Sequence, residues 1–181
     1  MTQRPPPAPV PLPSRWPVAI RSAELLRGTL VRCGPGVRPV GWPETPRVRL
    51  AALDTWLDPG RIAILLTAAW VWGFARAPDS PLQLATPQRK RPGALTPTGA
   101  VLHQHRYEAG SIQELGGFWV TTPARTLTDM LRLSEPFSGA HRIACRLILV
   151  STPLSREQVH AALREQAAPF RRRARERLDG L

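Results

Sequence analysis

The residues of this chain that could do chemistry are two closely spaced histidines, two cysteines, a scatter of aspartates and a large excess of arginine. Their spacing excludes most of that chemistry. His103 and His105 share one face of a strand-like stretch, because strand side chains alternate. No third ligand stands nearby in sequence, so no metal site is expected. Cys33 and Cys145 lack metal-ligand spacing. Cys145 lies in an apolar helical run and reads as a small core residue. No serine occupies a Gly-x-Ser-x-Gly elbow, and no Walker loop or Rossmann glycine pattern occurs. Asp54, Asp58 and Asp79 form no paired-carboxylate arrangement with a nearby lysine. No catalytic residue and no cofactor is assigned, and the chain reads as a non-enzyme.

What remains is charge. The formal net charge is +12 over 181 residues, with a pI near 11.6. That balance favours acidic partners: nucleic acid, an acidic protein face or an anionic surface. Of 25 basic residues only Lys90 is a lysine. Arginine suits phosphate recognition, and a GC-rich genome yields the same bias. Both ends are basic. Residues 1–50 hold eight Arg and two Glu, and residues 168–181 hold five Arg against Glu176 and Asp179. The candidate DNA contacts are therefore Arg21, Arg27, Arg32 and Arg38, with Arg89, Lys90 and Arg91 as a second patch. Those last three sit in a basic loop that reads first as a solvated loop and second as a phosphate contact. The arginine run 171–173 with Arg175 reads as a solvated basic helix end or as a nucleic-acid contact.

The elements that must position these residues follow from periodicity. Residues 1–17 are proline-rich and are expected to form a disordered or polyproline-like tail. Prolines fill the place of a signal-peptide core, and no run of 18 apolar residues exists to cross a membrane. A reducing cytoplasm is the expected home. Residues 18–27 predict a short helix closed by Gly28. Residues 29–33 and 37–40 predict two strands about the turn Gly34-Pro35-Gly36. Pro46 opens a helix that buries Leu50, Leu53 and Leu57. Thr67 is expected to cap a buried helix over 68–73. Residues 82–86 and 101–106 read as strands, and Gly116-Gly117 as the turn of a hairpin between 112–115 and 118–120. The remainder is helical. Residues 138–150 carry Ile143, Leu147 and Val150 on one apolar stripe. Ser155-x-x-Gln158 starts a helix as a capping box.

One stretch ties strand to helix. Phe118 to Val120 are β-formers, Thr121 or Thr122 offers a hydroxyl to a helix start, and Pro123 suits the first helical turn. Leu127, Met130 and Leu131 give that helix an apolar face. Arg125 and Asp129, four apart, can pair. The residues alone read as a well-capped helix with an ion pair. The sum is an α+β fold: a small mixed sheet near 82–120, flanking helices and a helical C-terminal third.

The same stretch, Thr-x-Pro-Ala-Arg-Thr-Leu-x-Asp, resembles the core motif of the AbiEi family. These are antitoxins and transcriptional regulators of type IV toxin–antitoxin systems, here of the actinobacterial type. Weaker matches at 32–37, 66–74, 84–87 and 101–106 follow in the right order, so the resemblance spans roughly residues 25–165. It implies a body over 46–181 that meets a nucleotidyltransferase toxin. It also implies that residues 18–45 are the last helix and wing of a winged helix contacting promoter DNA. The preceding two helices of such a module are replaced by the proline tail, so the N-terminal winged helix reads as truncated. Thr122, Pro123, Arg125, Thr126 and Asp129 carry the family motif and are expected to be structural. Two alternatives stand beside this reading: a protein-interaction remnant without DNA binding of its own, and a nuclease-related protein.

Overall fold

A computed structural model describes residues 9–57, 60–86, 96–165 and 170–181. From residue 9 the chain is not a free tail but an anchored segment. Residues 9–17 include a 3-10 helix, Pro13–Arg15, with Pro13 buried. Ser14 hydrogen-bonds the carboxylate of Asp54, and Arg15 Nε donates to its Oδ2 at 3.0 Å. Asp54 is 4% exposed, and a buried carboxylate needs such partners. The expected disordered tail is therefore corrected for residues 9–17; residues 1–8 lie outside the described residues.

Helix α1 (Val18–Arg27) ends at Gly28, whose φ of 78° is left-handed and suits glycine. Strands β1 (Leu30–Cys33) and β2 (Gly36–Pro39) form a separate antiparallel hairpin. The hairpin lies flat on the body. A Cβ at Gly36 would stand 2.0 Å from the Ala52 carbonyl oxygen, and one at Gly34 would stand 2.7 Å from Trp70. Helix α2 (Pro46–Ala52) takes its cap from Thr45, which accepts from Val48 N–H. Helix α3 (Asp54–Leu57) follows.

The body is built on a five-stranded mixed sheet of β3 (Ile62–Ala63), β4 (Leu82–Thr86), β5 (Ala100–Gln104), β6 (Ile112–Leu115) and β7 (Phe118–Thr121). Its order is β5-β4-β3-β7-β6. The short β3 is central, antiparallel to β4 and parallel to β7. The expected sheet was drawn from residue 82 onward; the middle strand comes earlier, in an apolar run with no strand period of its own.

Helix α4 (Leu65–Trp72) is buried almost all round. Thr67 is not its cap. The N-cap is Ile64 without a side-chain bond, and the Thr67 hydroxyl accepts from Gln83 N–H at 2.9 Å, tying helix to sheet. Trp70 is 2% exposed and takes its place in the core. Helices α5 (Pro123–Leu133), α6 (Gly139–Ser151), α7 (Arg156–Glu165) and α8 (Arg171–Asp179) complete the chain. Two cores result. One gathers Leu50, Leu53, Trp70, Leu84 and Val120 between hairpin, α2 and sheet. The other gathers Leu127, Met130, Leu131, Ile148, Leu163 and Leu178 among the C-terminal helices.

Two helices sit differently from their sequence patterns. Helix α6 buries His141, Ala144, Cys145 and Ile148, and turns Ile143, Leu147 and Val150 outward. Helix α8 is a solvated basic end on one side only: Arg172 is 94% exposed and paired to Glu176, while the other side is packed. Ala174 and Leu178 are wholly buried. Arg173 donates to the Arg132 carbonyl and to Glu135, and Arg177 donates to the Leu131 carbonyl. These guanidinium groups satisfy the open carbonyls at the C-terminal end of α5.

Candidate functional site

Three places gather the polar residues: the start of α5, the outer face of the helix-and-hairpin, and a cleft beside α6. At the first, the Thr122 hydroxyl accepts from Arg125 N–H at 3.4 Å, and Pro123 opens the helix. The Thr126 hydroxyl lies 2.7 Å from that of Thr121 and donates to the Thr121 carbonyl at 3.2 Å. Arg125 Nε donates to Asp129 Oδ2 at 2.7 Å, and its guanidinium covers the Tyr107 ring at 4.8 Å. The Asp129 side chain is 1% exposed, and Arg132 Nη1 approaches its other oxygen at 3.6 Å. Beneath this pair run the rings of His103, His105 and Tyr107, the first two stacked at 5.7 Å. Burial pushes both imidazoles below their ordinary value, with His105 adding to the shift at His103 and Arg125 and Arg132 adding at His105. Burial and the Asp129 charge push the Tyr107 phenol well up. The stretch closes strand onto helix with its polar atoms turned inward; Thr126 and Asp129 offer almost nothing to solvent.

The four N-terminal arginines are not equivalent. Arg27 lies exposed in the last turn of α1, paired to Glu24 at 2.6 Å. Arg32 is exposed on β1. Arg38 is turned inward: Nη1 donates to the Trp42 carbonyl at 2.7 Å, and Nη2 reaches Glu44 at 3.4 Å. Arg21 is half-buried, its Nε without a hydrogen-bond partner. Arg89, Lys90 and Arg91 lie outside the described residues. The hairpin turn, which in a wing would project toward DNA, is seated against Trp70 and α2.

The cleft, about 430 Å³, is lined by Leu65, Asp79, Gln83, His103, Ser134 and His141 among others. His103 Nε2 lies 2.6 Å from Gln83 Oε1. His141 Nδ1 lies 2.8 Å from the Ser138 hydroxyl, a spacing that suggests a nucleophile and its base. The same nitrogen also accepts from Ser138 N–H at 3.3 Å, across the first turn of α6. The contact is therefore a helix cap supplied by histidine in the role of a capping-box residue, and sequence reading missed it because Glu or Gln is the usual signal. Burial holds His141 below its ordinary value against the raising effect of Asp79. The thiols of Cys33 and Cys145 are buried and pushed up to about 11 and about 12 by desolvation, so neither is a ready nucleophile. Among the described residues no group of three His, Cys, Asp or Glu could hold a metal ion. No helix among them is long and apolar enough to cross a membrane.

Residues 62–180, from the central strand to the last turn of α8, match the family described as the AbiEi antitoxin C-terminal domain. The chain belongs to the AbiEi antitoxin family. The match to this AbiEi domain covers the sheet, α4 and all four C-terminal helices, including the Thr122–Asp129 junction. The helix-and-hairpin of residues 18–39 stands before it. No curated protein matches the chain. Among solved structures it is similar to one entitled "Crystal structure of RV2827C protein from Mycobacterium tuberculosis", with 19% identity and a TM-score of 0.51. That likeness covers 89% of this chain and 64% of the other, and it speaks for the fold. The AbiEi chain described here thus spans less than two thirds of that protein's length.

Proposed function

We propose that this AbiEi-family chain is a non-catalytic antitoxin and transcriptional regulator of actinobacterial type, working in the cytoplasm. Its body meets a nucleotidyltransferase toxin, and its N-terminal helix and hairpin, a shortened winged helix, contact DNA weakly. The observation that carries the antitoxin reading is the unbroken family match over residues 62–180. The DNA reading is supported by the +12 net charge and by the outward Arg27 and Arg32. A winged helix reads bases through a recognition helix braced by others. Helix α1 has no buried residue, so base readout suffers before phosphate contact does.

The test is a gel shift with the chain's own upstream DNA and with random DNA, across a salt series. Affinity is expected to fall steeply with salt and to differ little between the two DNAs. Replacing Arg27 or Arg32 by Ala should each flatten the log–log salt slope by roughly one unit. Tight, promoter-selective binding at moderate salt would refute the shortened-module reading. A protein-interaction module without DNA binding is the second reading. It is favoured by the seated hairpin turn and by the inward Arg38, and the absence of any shift at low salt would select it. Rescue of growth when a neighbouring nucleotidyltransferase is co-expressed tests the toxin contact.

A further inference from the structure

Helix α6 has two apolar faces, and only one is used. His141, Ala144, Cys145 and Ile148 enter the C-terminal core. On the outside, Ile143 is 59% exposed, Leu147 40% and Val150 85%. Single exposed apolar residues are ordinary. These are not single. With exposed Ala140 they recur at intervals of three, four and three, the a/d seam that accepts the knobs of a partner helix. At 100° per residue the stripe is about 80° wide, too narrow for a sheet face and matched to one helix.

Charge selects the occupant. Arg146 flanks the stripe at the g position of that seam, and Arg142, exposed one turn earlier at c, lies farther round the same side of the helix. Arg142 sits over Phe137 at 5.5 Å, and Arg146 Nε donates to the Leu181 carbonyl at 3.1 Å, so each is held in place. Helix α6 contains no acidic residue, and residues 139–181 hold nine Arg against four acids. A second copy of the same face would bring Arg against Arg with no acid on α6 to neutralise it, and like charges across an interface oppose association. An anionic membrane would welcome the arginines. It also requires the apolar face to sink below the headgroups, and α6 is fixed on its other side in the core. We infer that the outer face of α6 is a docking seam for an amphipathic helix of a partner protein whose edge is acidic.

The test uses the full chain and a labelled three-heptad helical peptide, with Leu at a and d and Glu at the flanking e and g positions. A matched peptide carries Lys at those flanks. Fluorescence anisotropy should show the Glu peptide binding roughly tenfold or more tightly than the Lys peptide. Ile143→Glu with Leu147→Glu should abolish binding while lowering the melting temperature by only a few degrees, because neither side chain belongs to the buried core. Arg146→Glu should narrow the preference for the Glu peptide more than Arg142→Glu does, because Arg146 holds the flanking g position. Three results would overturn the inference: equal binding of both peptides, undiminished binding by the Ile143/Leu147 variant, or no binding by the unaltered chain. Two further measurements guard the choice of occupant. Sedimentation showing a dimer that Ile143→Glu dissociates would assign the face to a second copy. Co-sedimentation with phosphatidylglycerol vesicles that the same variant loses would assign it to a membrane. Either would likewise overturn the acidic-helix seam.

Discussion

Replacing Asp129 by Ala should cost this protein a large part of its stability without creating a new surface. The carboxylate is 1% exposed, and Arg125, its partner at 2.7 Å, is 14% exposed. Removing one member of a buried ion pair leaves the other charge uncompensated, which costs about 3–5 kcal/mol. Arg125 keeps its place over Tyr107 and a little solvent, so the lower end, about 3 kcal/mol, is expected. For a chain of this size each kcal/mol moves the melting temperature by about 2–4 °C, giving a fall of roughly 6–12 °C. Circular dichroism at 222 nm reads it directly. Arg125→Ala should lose a comparable amount, and the double variant should lose clearly less than the sum, because the two act as a unit. If Asp129→Ala melts within about 1 °C of the parent, the buried pair within α5 is not stabilising the fold and the structural reading of the motif fails. A loss of partner binding without a loss of stability would make the motif a contact surface instead.

Three other outcomes follow from the same packing. His103, His105 and His141 are all held below their ordinary value by burial, so the unfolded chain binds more protons than the folded one as pH falls through 6.5; stability should be full above that pH and decline below it, and Gln at His141 should shallow the decline in a series of urea titrations. Gly36→Ala drives a methyl group into the Ala52 carbonyl and should lower stability by about 1–3 kcal/mol as overpacking does, seen as a lower urea midpoint. Thr67→Val removes the acceptor of a backbone N–H in β4 and should cost about 1–3 kcal/mol, whereas Thr67→Ser should be milder.

The legible parts of the fold were those written in local chemistry. Thr122 and Pro123 announce a helix start by what their own atoms can and cannot bond, and α5 begins there. Gly116-Gly117 announces a turn by conformational freedom, and β6 and β7 pair about it. The ion pair of Arg125 and Asp129 follows from helical spacing, though its burial does not. The illegible parts depended on distant partners. Helix α6 is apolar on two sides, and periodicity cannot say which side meets α5. The side carrying His141, Ala144, Cys145 and Ile148 went inward, and the side carrying Ile143, Leu147 and Val150 remained outside. Arg173 looked like part of a solvated face, as Arg172 is, because nothing local reveals that a carbonyl at the end of α5 awaits it. Thr67 had the chemistry of a cap and met a strand amide instead. Of the candidate contacts, Arg27 and Arg32 face outward as DNA residues must, and Arg38 is drawn in by Glu44 and the Trp42 carbonyl.

The two-residue strand β3 sets a timetable. Its neighbours on either side are β4, soon after it, and β7, which arrives only with Trp119 and Val120. During synthesis the sheet therefore waits, its middle strand open along one edge, until more than half of the chain has been made. An open apolar edge invites both proteases and wrong pairing, and closing so long a loop slows folding. Helix α5 follows β7 directly in the chain, so it too can settle only after that strand is made. Weakening the β3–β7 pairing, for example at Val120, should thus shorten the life of newly made protein in the cell more than it shortens the life of protein already folded.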